Sequence, residues 1–341
     1  MISVKENQSL KPYNTFHINA TAARMCSVAS EDDAIALFRS ASYKENRSLI
    51  LGSGSNILFT KNFDGLMIQN KLRGIAVADE TSEYISLRVA SGELWHPFVM
   101  HCVSNDWGGI ENLSLIPGTV GAAPMQNIGA YGAEIKDVVV DVDAIERSTG
   151  DKRTFSAVEC HFGYRESVFK HDLREKYFIS SVTLRLTKKN HHLNTAYGAI
   201  KDTLASMNQT TPTVQSISDA VVAIRKSKLP DPEVIGNAGS FFKNPVITRE
   251  HYDSLKNTYP TIPGYFSDNQ SVKVPAAWLI EQDGWKGKRF GDAGVHTHQA
   301  LVLVNYDDAK GEQIYELAMK IQSSIHAKFN IMLTPEVNII S

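Results

Sequence analysis

Two glycine-rich segments constrain the fold of this chain more than any other feature of its sequence. The first, LILGSGSNILF at 49–59, carries a short apolar run directly into Gly52 and Gly54. It has Ile57 where a dinucleotide fingerprint needs a third glycine, and it lacks the Gly-Lys-Ser/Thr ending of a P-loop. The segment can still bind phosphate through backbone N–H groups, but in neither of those two frameworks.

The second segment, SLIPGTVGAAPMQNIGAYG at 114–132, adds Gly118, Gly121, Gly129 and Gly132 among small neighbours. Glycines and small side chains let backbone N–H groups approach a ligand closely. Either segment alone could be a tight turn of an α/β protein. Together, two such loops well separated in sequence favour a dinucleotide cofactor with a phosphate bridge in its middle.

Apolar periodicity predicts a small α/β unit followed by α+β segments. Ser30 and Asp33 form a capping pair for a helix over about 31–42, and Ser216 and Asp219 form a second pair that opens a later helix. The other predicted elements are strands at 48–51, 66–69, from 84, 138–145, 177–186 and 330–340, with helices at 95–103 and 314–325.

Size and charge narrow the class of protein. The 341 residues favour two or three domains, and the net charge of -2 supplies no positive field for nucleic acid or an anionic membrane. We expect no membrane span and no signal segment. The cysteines, Cys26, Cys102 and Cys160, are odd in number and widely spaced, which fits a reducing cytoplasm better than a disulfide framework. No metal-ligand spacing is present, so no metal is predicted.

Three polar residues stand out as candidates for chemistry. Arg165 lies in FGYRES, Ser240 in GNAGSFFKNP and Glu336 in LTPEVNII. Taken singly, each has an ordinary alternative, which is a surface ion pair for the arginine, a turn for the serine and an outward-facing strand position for the glutamate. Ser240 has no Gly-x-Ser-x-Gly context, so a hydrolase triad is not supported.

Six stretches in order along the chain resemble one enzyme family. They are PYNTF at 12–16, LGSGSN at 51–56, IPGTVGAAPMQNIGAYG at 116–132, FGYRES at 162–167, AGSFFKNP at 238–245 and PEV at 335–337. Their combination, covering essentially the whole chain, is similar to the UDP-N-acetylenolpyruvoylglucosamine reductases (MurB), and the length and the segment around Tyr197 resemble the type I branch.

This resemblance implies an α+β flavoprotein of three domains. A vanillyl-alcohol-oxidase/PCMH-type FAD-binding fold would comprise subdomain 1 at 1–70 plus 330–341 and subdomain 2 at 71–228, and a substrate-binding domain would occupy 229–329. The resemblance also implies FAD and NADPH as cofactors and a UDP-sugar as substrate. A cytoplasmic monomer that binds neither nucleic acid nor membrane is expected.

The resemblance also assigns residues. The expected FAD contacts are Leu51, Gly52, Ser53, Gly54, Ser55, Asn56, Gly118, Gly121, Ala122, Met125, Gly129, Tyr131 and Ile179. The expected substrate contacts are Tyr164, Tyr197, Lys228, Asn244, Tyr265, Lys273 and Gln299. Arg165 would stabilise the enolate formed on hydride transfer, Glu336 would act as a second polariser, and Ser240 would donate the proton to C2.

Two other functions compete with this reductase. One is a flavin oxidase or dehydrogenase of the same FAD fold acting on another alcohol or sugar. Many of those enzymes attach the flavin covalently through His or Cys, and neither residue type occurs in the two glycine-rich segments. The other is a nucleotide-binding regulatory protein, which would bind the ligand without NADPH turnover.

Overall fold

The computed structural model describes residues 2–266 and 270–341. The chain divides into two compact units. Unit 1 contains the described residues of Met1–Gln8, Ala22–Ser53 and Asp64–Ser227. Unit 2 contains those of Ser9–Thr21, Gly54–Phe63 and Lys228–Ser341. The first glycine-rich segment therefore passes from unit 1 to unit 2 between Ser53 and Gly54.

The described residues form both helices and strands, often with several strands in succession. The helices are α1 Glu31–Arg39, α2 Ala41–Lys44, α3 Trp95–Ser104, α4 Gly198–Ser206, α5 Val214–Lys228, α6 Arg249–Thr258, α7 Ala276–Gln282 and α8 Gly311–Phe329. The strands of unit 1 and of the first loop are β1 Val4–Ser9, β2 Thr21–Val28, β3 Ser48–Leu51, β4 Ile57–Phe59, β5 Phe63–Asn70, β6 Ile75–Glu80, β7 Tyr84–Ala90, β8 Gly129–Ala130, β9 Ala133–Glu134, β10 Val139–Glu146, β11 Lys152–Ser156 and β12 Tyr177–Thr187. The later strands are β13 Gly236–Ser240, β14 Val246–Thr248, β15 Tyr265–Phe266, β16 Ser271–Lys273, β17 Arg289–Phe290, β18 Ala293–Val295, β19 Val302–Asn305 and β20 Asn338–Ile340.

The N-terminal part of unit 1 is a sheet of strand order β1-β2-β5-β3, in which β3 and β5 run parallel. Ala34, Leu37 and Phe38 of α1 are buried at helical spacing and belong to the hydrophobic core that includes β2 and β5. Ser30 Oγ accepts a hydrogen bond from the Asp33 N–H at 3.1 Å. The capping pair and the two strands predicted here are confirmed.

The rest of unit 1 is built on an antiparallel sheet of order β11-β10-β12-β7-β6. Ile85, Leu87 and Val89 of β7 are buried, as the alternation predicts, and Ser86 on the opposite face is buried as well. Helix α3 packs Trp95 and further apolar residues into the same core. The predicted strands β10 and β12 and the predicted helix α3 are confirmed.

Unit 2 combines several small sheets with one long helix. The sheets have the orders β13-β19-β18-β17 and β14-β16-β15, and β20 pairs with β4 in parallel. Helix α8 buries Ile314, Leu317, Ile321 and Ile325 and contacts β4, β18 and β19. The predicted long C-terminal helix is confirmed.

Two predicted helix boundaries are wrong, each because a serine or threonine hydroxyl caps the backbone at another residue. The first helix ends at Arg39 rather than near 42, because Ser40 is extended and its Oγ accepts from the Tyr43 N–H to cap α2. The second begins at Val214 rather than at Ser216. Thr213 Oγ1 accepts from the Ser216 N–H at 3.1 Å, and Ser216 Oγ accepts from the Thr213 N–H at 2.8 Å, so the cap lies three residues earlier.

The predicted terminal strand at 330–340 is also too long. Only β20 is a strand, and it pairs with β4, which directly follows the first glycine-rich loop. The residues before it, which include Glu336, are held by individual backbone hydrogen bonds rather than by a regular ladder. The division into three domains stays a prediction.

The three cysteines are buried free thiols. Burial raises the pKa of Cys26 to about 11 and that of Cys160 to about 12, and it also raises the pKa of Cys102. Because the thiolate is the reactive form, we expect none of the three to react with iodoacetamide at neutral pH in the native protein, and all three to react in denaturant. Mass spectrometry of the labelled protein checks this, and rapid native labelling of any of them would contradict the burial.

Candidate active site

The first glycine-rich loop is supported by the N-terminal PYNTF segment. Gly54 has φ +69°, and a Cβ at this position would lie 1.9 Å from the Tyr13 carbonyl oxygen. The Thr15 N–H donates to the Gly54 carbonyl at 3.2 Å, and the Asn14 side chain fixes its own turn through Leu10 and Ile18. The loop therefore requires glycine at Gly54 both for its backbone conformation and for the close approach of the N-terminal segment.

We expect Gly54→Ala to destabilise the protein more than Gly239→Ala does. Both glycines have φ +69°, so each substitution incurs the left-handed penalty of about 1–2 kcal/mol. A Cβ at Gly239 would meet nothing within 4 Å, whereas a Cβ at Gly54 would collide with the backbone of Tyr13. Thermal unfolding of the two variants measures the added cost of the collision, and equal losses in Tm would show that the Tyr13 contact does not constrain the loop.

The two glycine-rich segments meet within unit 1. A Cβ at Gly52 would lie 2.8 Å from Thr119 Oγ1, and Thr119 is buried at 5% exposure. Leu51, which ends β3, is fully buried directly before this contact. Loops almost seventy positions apart thus come together, and an anionic ligand could reach backbone N–H groups of both.

The second loop is docked on the turn after β7. The Gly121 N–H donates to the Ser91 carbonyl at 2.9 Å, and a Cβ at Gly121 would lie 2.4 Å from the Cβ of Ser91. The Ser91 N–H in turn donates to the Ser180 carbonyl of β12, next to the buried Ile179. Gly118, whose carbonyl accepts from the Trp95 N–H at 3.0 Å, ties the same loop to the start of α3.

Arg165 lies against the second loop. Its Nη2 donates to the Gly129 carbonyl at 2.8 Å, and its guanidinium lies 5.6 Å from the centre of the Tyr164 ring. Arg165 has φ +58°, which is an uncommon conformation for a side chain of this size. Nearby, Ser167 Oγ donates to the Met125 carbonyl at 2.7 Å. The structure thus places Arg165, Tyr164, Met125 and Gly129 in one neighbourhood.

Tyr131 ends the second loop and contacts the segment around Tyr197. The two rings are perpendicular, with their centres 5.2 Å apart, and Tyr197 is 45% exposed. Burial raises the pKa of Tyr131, and a hydrogen bond with Arg225 and the charge of that arginine partly offset the increase. The exposed Tyr197 is thereby attached to the loop predicted to contact the flavin.

Ser240 and Glu336 lie on neighbouring segments of unit 2. Ser240 ends β13 opposite Val302, and the carbonyl of the next residue, Phe241, accepts from the Glu336 N–H at 2.8 Å. Both Ser240 and Glu336 are half-buried. The Glu336 carbonyl accepts from Asn56 Nδ2 at 3.3 Å, which connects this segment to the end of the first glycine-rich loop.

The predicted substrate contacts of unit 2 fall in four places. Tyr265 is directly opposite Lys273 in the β15-β16 pair, and Asn244 Oδ1 accepts from the Ala276 N–H at the start of α7. Gln299 lies between β18 and β19, and its Oε1 accepts from the Leu301 N–H at 3.4 Å. Lys228, the last residue of α5, is exposed. Arg165, Tyr164 and Tyr197 belong to unit 1.

Several residues that shape the site were not predicted as functional. Ser91 and Thr119 pack on Gly121 and Gly52, and His96 and Arg225 bond the backbone of Leu115. The sequence did contain one indication for Arg225. It follows the apolar positions of α5, and a charged side chain near a buried helix face usually has a specific partner.

The described residues contain neither a helix suited to span a membrane nor a cluster of metal-ligating side chains. No helix in that part of the chain is long and apolar enough to cross a membrane. No group of three or more His, Cys, Asp or Glu side chains there is arranged to hold a metal ion.

Both halves of the chain match known protein families. Residues 22–156 match the FAD binding domain family, and residues 231–340 match the C-terminal domain of UDP-N-acetylenolpyruvoylglucosamine reductase. The UDP-N-acetylenolpyruvoylglucosamine reductase of Amoebophilus asiaticus is 49% identical over 339 residues, which cover 99% of this chain and 100% of that protein. The enzyme of the same name from Flavobacterium johnsoniae is 46% identical with the same coverage.

Two solved structures have a similar fold. The UDP-N-acetylenolpyruvylglucosamine reductase of Thermus caldophilus has a TM-score of 0.70 at 20% identity and covers 100% of both chains. A solvent-stable cholesterol oxidase has a TM-score of 0.51 at 11% identity, covering 98% of this chain and 87% of that one. The predicted α+β flavoprotein fold is confirmed.

Proposed function

This chain belongs to the UDP-N-acetylenolpyruvoylglucosamine reductase family, and we propose that Arg165, Ser240 and Glu336 perform its chemistry beside a bound FAD. It is an FAD-dependent oxidoreductase that uses NADPH to reduce UDP-N-acetylenolpyruvoylglucosamine to UDP-N-acetylmuramate. This product enters peptidoglycan synthesis, on which cell shape and cell division depend. A flavin oxidase or dehydrogenase acting on another alcohol or sugar is not favoured.

The observation that best supports the proposed residues is the convergence of the two glycine-rich loops. Gly52 abuts Thr119, and Arg165 is bonded to Gly129 of the second loop. The segment Leu51–Asn56 contains glycine, serine and asparagine but no carboxylate, so its polar groups suit an anionic pyrophosphate. We assign the pyrophosphate of FAD to this segment, and the remainder of the flavin nucleotide to Gly118, Gly121, Ala122, Met125, Gly129, Tyr131 and Ile179.

Arg165 is the proposed electrostatic catalyst. When bound, FAD supplies the hydride-transfer chemistry between NADPH and the enolpyruvyl group. Negative charge then develops at C2 and spreads into the neighbouring carboxylate of the substrate. Because its Nη2 is held by Gly129 and its face by Tyr164, Arg165 is a cation of fixed orientation, which stabilises such charge without reorganisation.

Ser240 and Glu336 are the proposed groups for protonation at C2. A serine hydroxyl is a weak acid, so donation from Ser240 Oγ requires a neighbouring group to replace the proton. Glu336 acts as the second polariser, by hydrogen bonding or as a protonated acid, because a bare anion beside the enolate would oppose its formation. The hydrogen bond from the Glu336 N–H to the carbonyl of Phe241, the residue after Ser240, supports assigning Ser240 and Glu336 to the same protonation step.

The remaining assignments concern the residues that bind the UDP-sugar, the division into domains and the cellular compartment. We assign the substrate to Tyr164, Tyr197, Lys228, Asn244, Tyr265, Lys273 and Gln299, with the lysines neutralising the diphosphate as point charges. We also propose the three-domain division at residues 70 and 228, and a cytoplasmic site of action, which the three buried free thiols support. That the protein is a monomer stays a prediction.

Steady-state turnover tests the proposed function. A catalytic amount of purified holoenzyme should oxidise NADPH continuously, beyond one equivalent of flavin, only when UDP-N-acetylenolpyruvoylglucosamine is added, and mass spectrometry should show a product heavier by two hydrogen atoms. UDP-N-acetylglucosamine, which lacks the enolpyruvyl group, is the matched control and should give no turnover. Oxygen consumption with an alcohol or a free sugar, without reduction of the enolpyruvyl compound, would favour the oxidase instead.

A further inference from the structure

Near each end of the second glycine-rich loop, a residue with a large side chain lies in the left-handed backbone region. Leu115, directly before the Ile-Pro-Gly that opens the loop, has φ +57°, and Tyr131 at its end has φ +51°. Left-handed backbone is unfavourable for leucine and tyrosine, and such conformations persist only where surrounding groups impose them. The loop therefore depends on whatever holds these two residues.

Side chains from two helices hold Leu115. The Leu115 N–H donates to His96 Nδ1 of α3 at 3.0 Å, and the Leu115 carbonyl accepts from Arg225 Nε of α5 at 3.1 Å. The preceding residue is held as well, since Ser114 Oγ lies 2.8 Å from Ser218 Oγ of α5. Both backbone polar groups of the strained leucine are thus satisfied by side chains rather than by regular secondary structure.

The same arginine also reaches the other end of the loop. The Arg225 guanidinium interacts electrostatically with the Tyr131 side chain, and the Tyr131 carbonyl accepts from Asn112 Nδ2 at 3.1 Å. Arg225 and Arg165 also lie near enough for their charges to interact. One guanidinium on α5 therefore interacts with both Leu115 and Tyr131, the left-handed residues near the two ends of the segment.

His96 can accept this hydrogen bond only while Nδ1 is unprotonated. Burial lowers the pKa of His96, and the positive charges of Arg225 and Lys226 on α5 lower it further. The imidazole is therefore neutral at neutral pH, with its proton on Nε2. An asparagine at this position would offer an amide oxygen of similar reach as acceptor, and it would not titrate.

We propose that His96 is a positioning residue for the cofactor site, which, together with Arg225, holds Leu115 left-handed and so fixes the second glycine-rich loop in the conformation that receives FAD. This inference rests on the proposed function in one respect, the assignment of that loop to the flavin. His96 itself touches no reacting atom in this account. Its effect reaches the cofactor through Leu115 alone.

The test measures FAD release from holoenzyme on dilution, followed by the rise in free flavin fluorescence. Relative to the parent protein, His96→Leu should accelerate release at least tenfold, whereas His96→Asn should change it less than threefold. Leu115→Gly removes the backbone penalty, so His96→Leu should have a much smaller effect in the Leu115→Gly background. Equal effects of His96→Leu in both backgrounds would overturn the proposal.

A pH series separates positioning from a general structural role. A histidine that is held neutral keeps its contact above its ordinary pKa of about 6.5 and loses it as the pH falls through the lowered value. FAD release from the parent should therefore accelerate below that pH, and the acceleration should be weaker in His96→Asn. Identical pH profiles for the parent and His96→Asn would overturn the proposal. Because this comparison does not use His96→Leu, it stays decisive if that variant fails to fold.

The outcomes also distinguish this inference from the proposed function. If the parent protein binds no FAD or reduces no enolpyruvyl substrate, the proposed function fails. If the parent is fully active and His96→Leu retains FAD as the parent does, only the role of His96 fails.

Discussion

Replacing Ser240 by alanine is expected to slow reoxidation of the reduced enzyme by the enolpyruvyl substrate by about 10²–10⁴-fold, the usual contribution of a positioned proton donor. Reduction of the flavin by NADPH should stay close to the parent rate, because that half-reaction needs no proton at C2. Stopped-flow absorbance under anaerobic conditions measures the two half-reactions separately.

A second substitution at Ser240 tests whether the loss of rate comes from the missing proton donor. Ser240→Cys retains a proton donor at the end of β13 and is expected to recover part of the oxidative rate that Ser240→Ala loses. Comparable slowing of both half-reactions in Ser240→Ala would contradict the assignment, because it would indicate damage to the flavin site rather than loss of a proton donor.

Replacing Arg165 by methionine is expected to slow the oxidative half-reaction by about 10²–10³-fold, as removal of one preorganised electrostatic group does in other enzymes. Arg165→Lys keeps the charge, but an ammonium group cannot reproduce the planar guanidinium that donates to the Gly129 carbonyl and faces the Tyr164 ring. This variant should therefore recover only part of the rate. The same stopped-flow assay measures both variants.

The control for Arg165 is FAD retention. Because Arg165 Nη2 bonds the Gly129 carbonyl, a variant could disturb the second loop as well as the chemistry. We expect the methionine variant to keep its flavin and to be reduced by NADPH at a rate near that of the parent. An oxidative rate near that of the parent in a flavin-loaded Arg165→Met enzyme would rule out the electrostatic role.

Local sequence pattern was sufficient to predict helices α1, α3, α5 and α8 and strands β3, β5, β7, β10 and β12, which are fewer than half of the described elements. Ala34, Leu37 and Phe38 recur at helical spacing in α1, and Ile85, Leu87 and Val89 alternate in β7, because each element must bury one face. The errors lie at boundaries where polar side chains compete with the backbone, as the reciprocal Thr213 and Ser216 bonds do at the start of α5.

The arrangement of the site depends on contacts that are distant in sequence. The spacing of the glycines indicates close backbone approach, but only the fold shows that Tyr13 faces Gly54 and that Thr119 faces Gly52. The left-handed Leu115 could not have been predicted either, because leucine is a poor residue for that conformation. It exists because groups on α3 and α5 impose it.

The measurement that tests the central claim most directly is an anaerobic titration of the flavin. The purified holoenzyme is reduced with one equivalent of NADPH, UDP-N-acetylenolpyruvoylglucosamine is added, and the visible absorbance of the flavin is followed. We expect bleaching by NADPH and prompt recovery with the enolpyruvyl compound, but not with UDP-N-acetylglucosamine. A flavin that stays reduced after addition of the enolpyruvyl compound would contradict the proposed reaction.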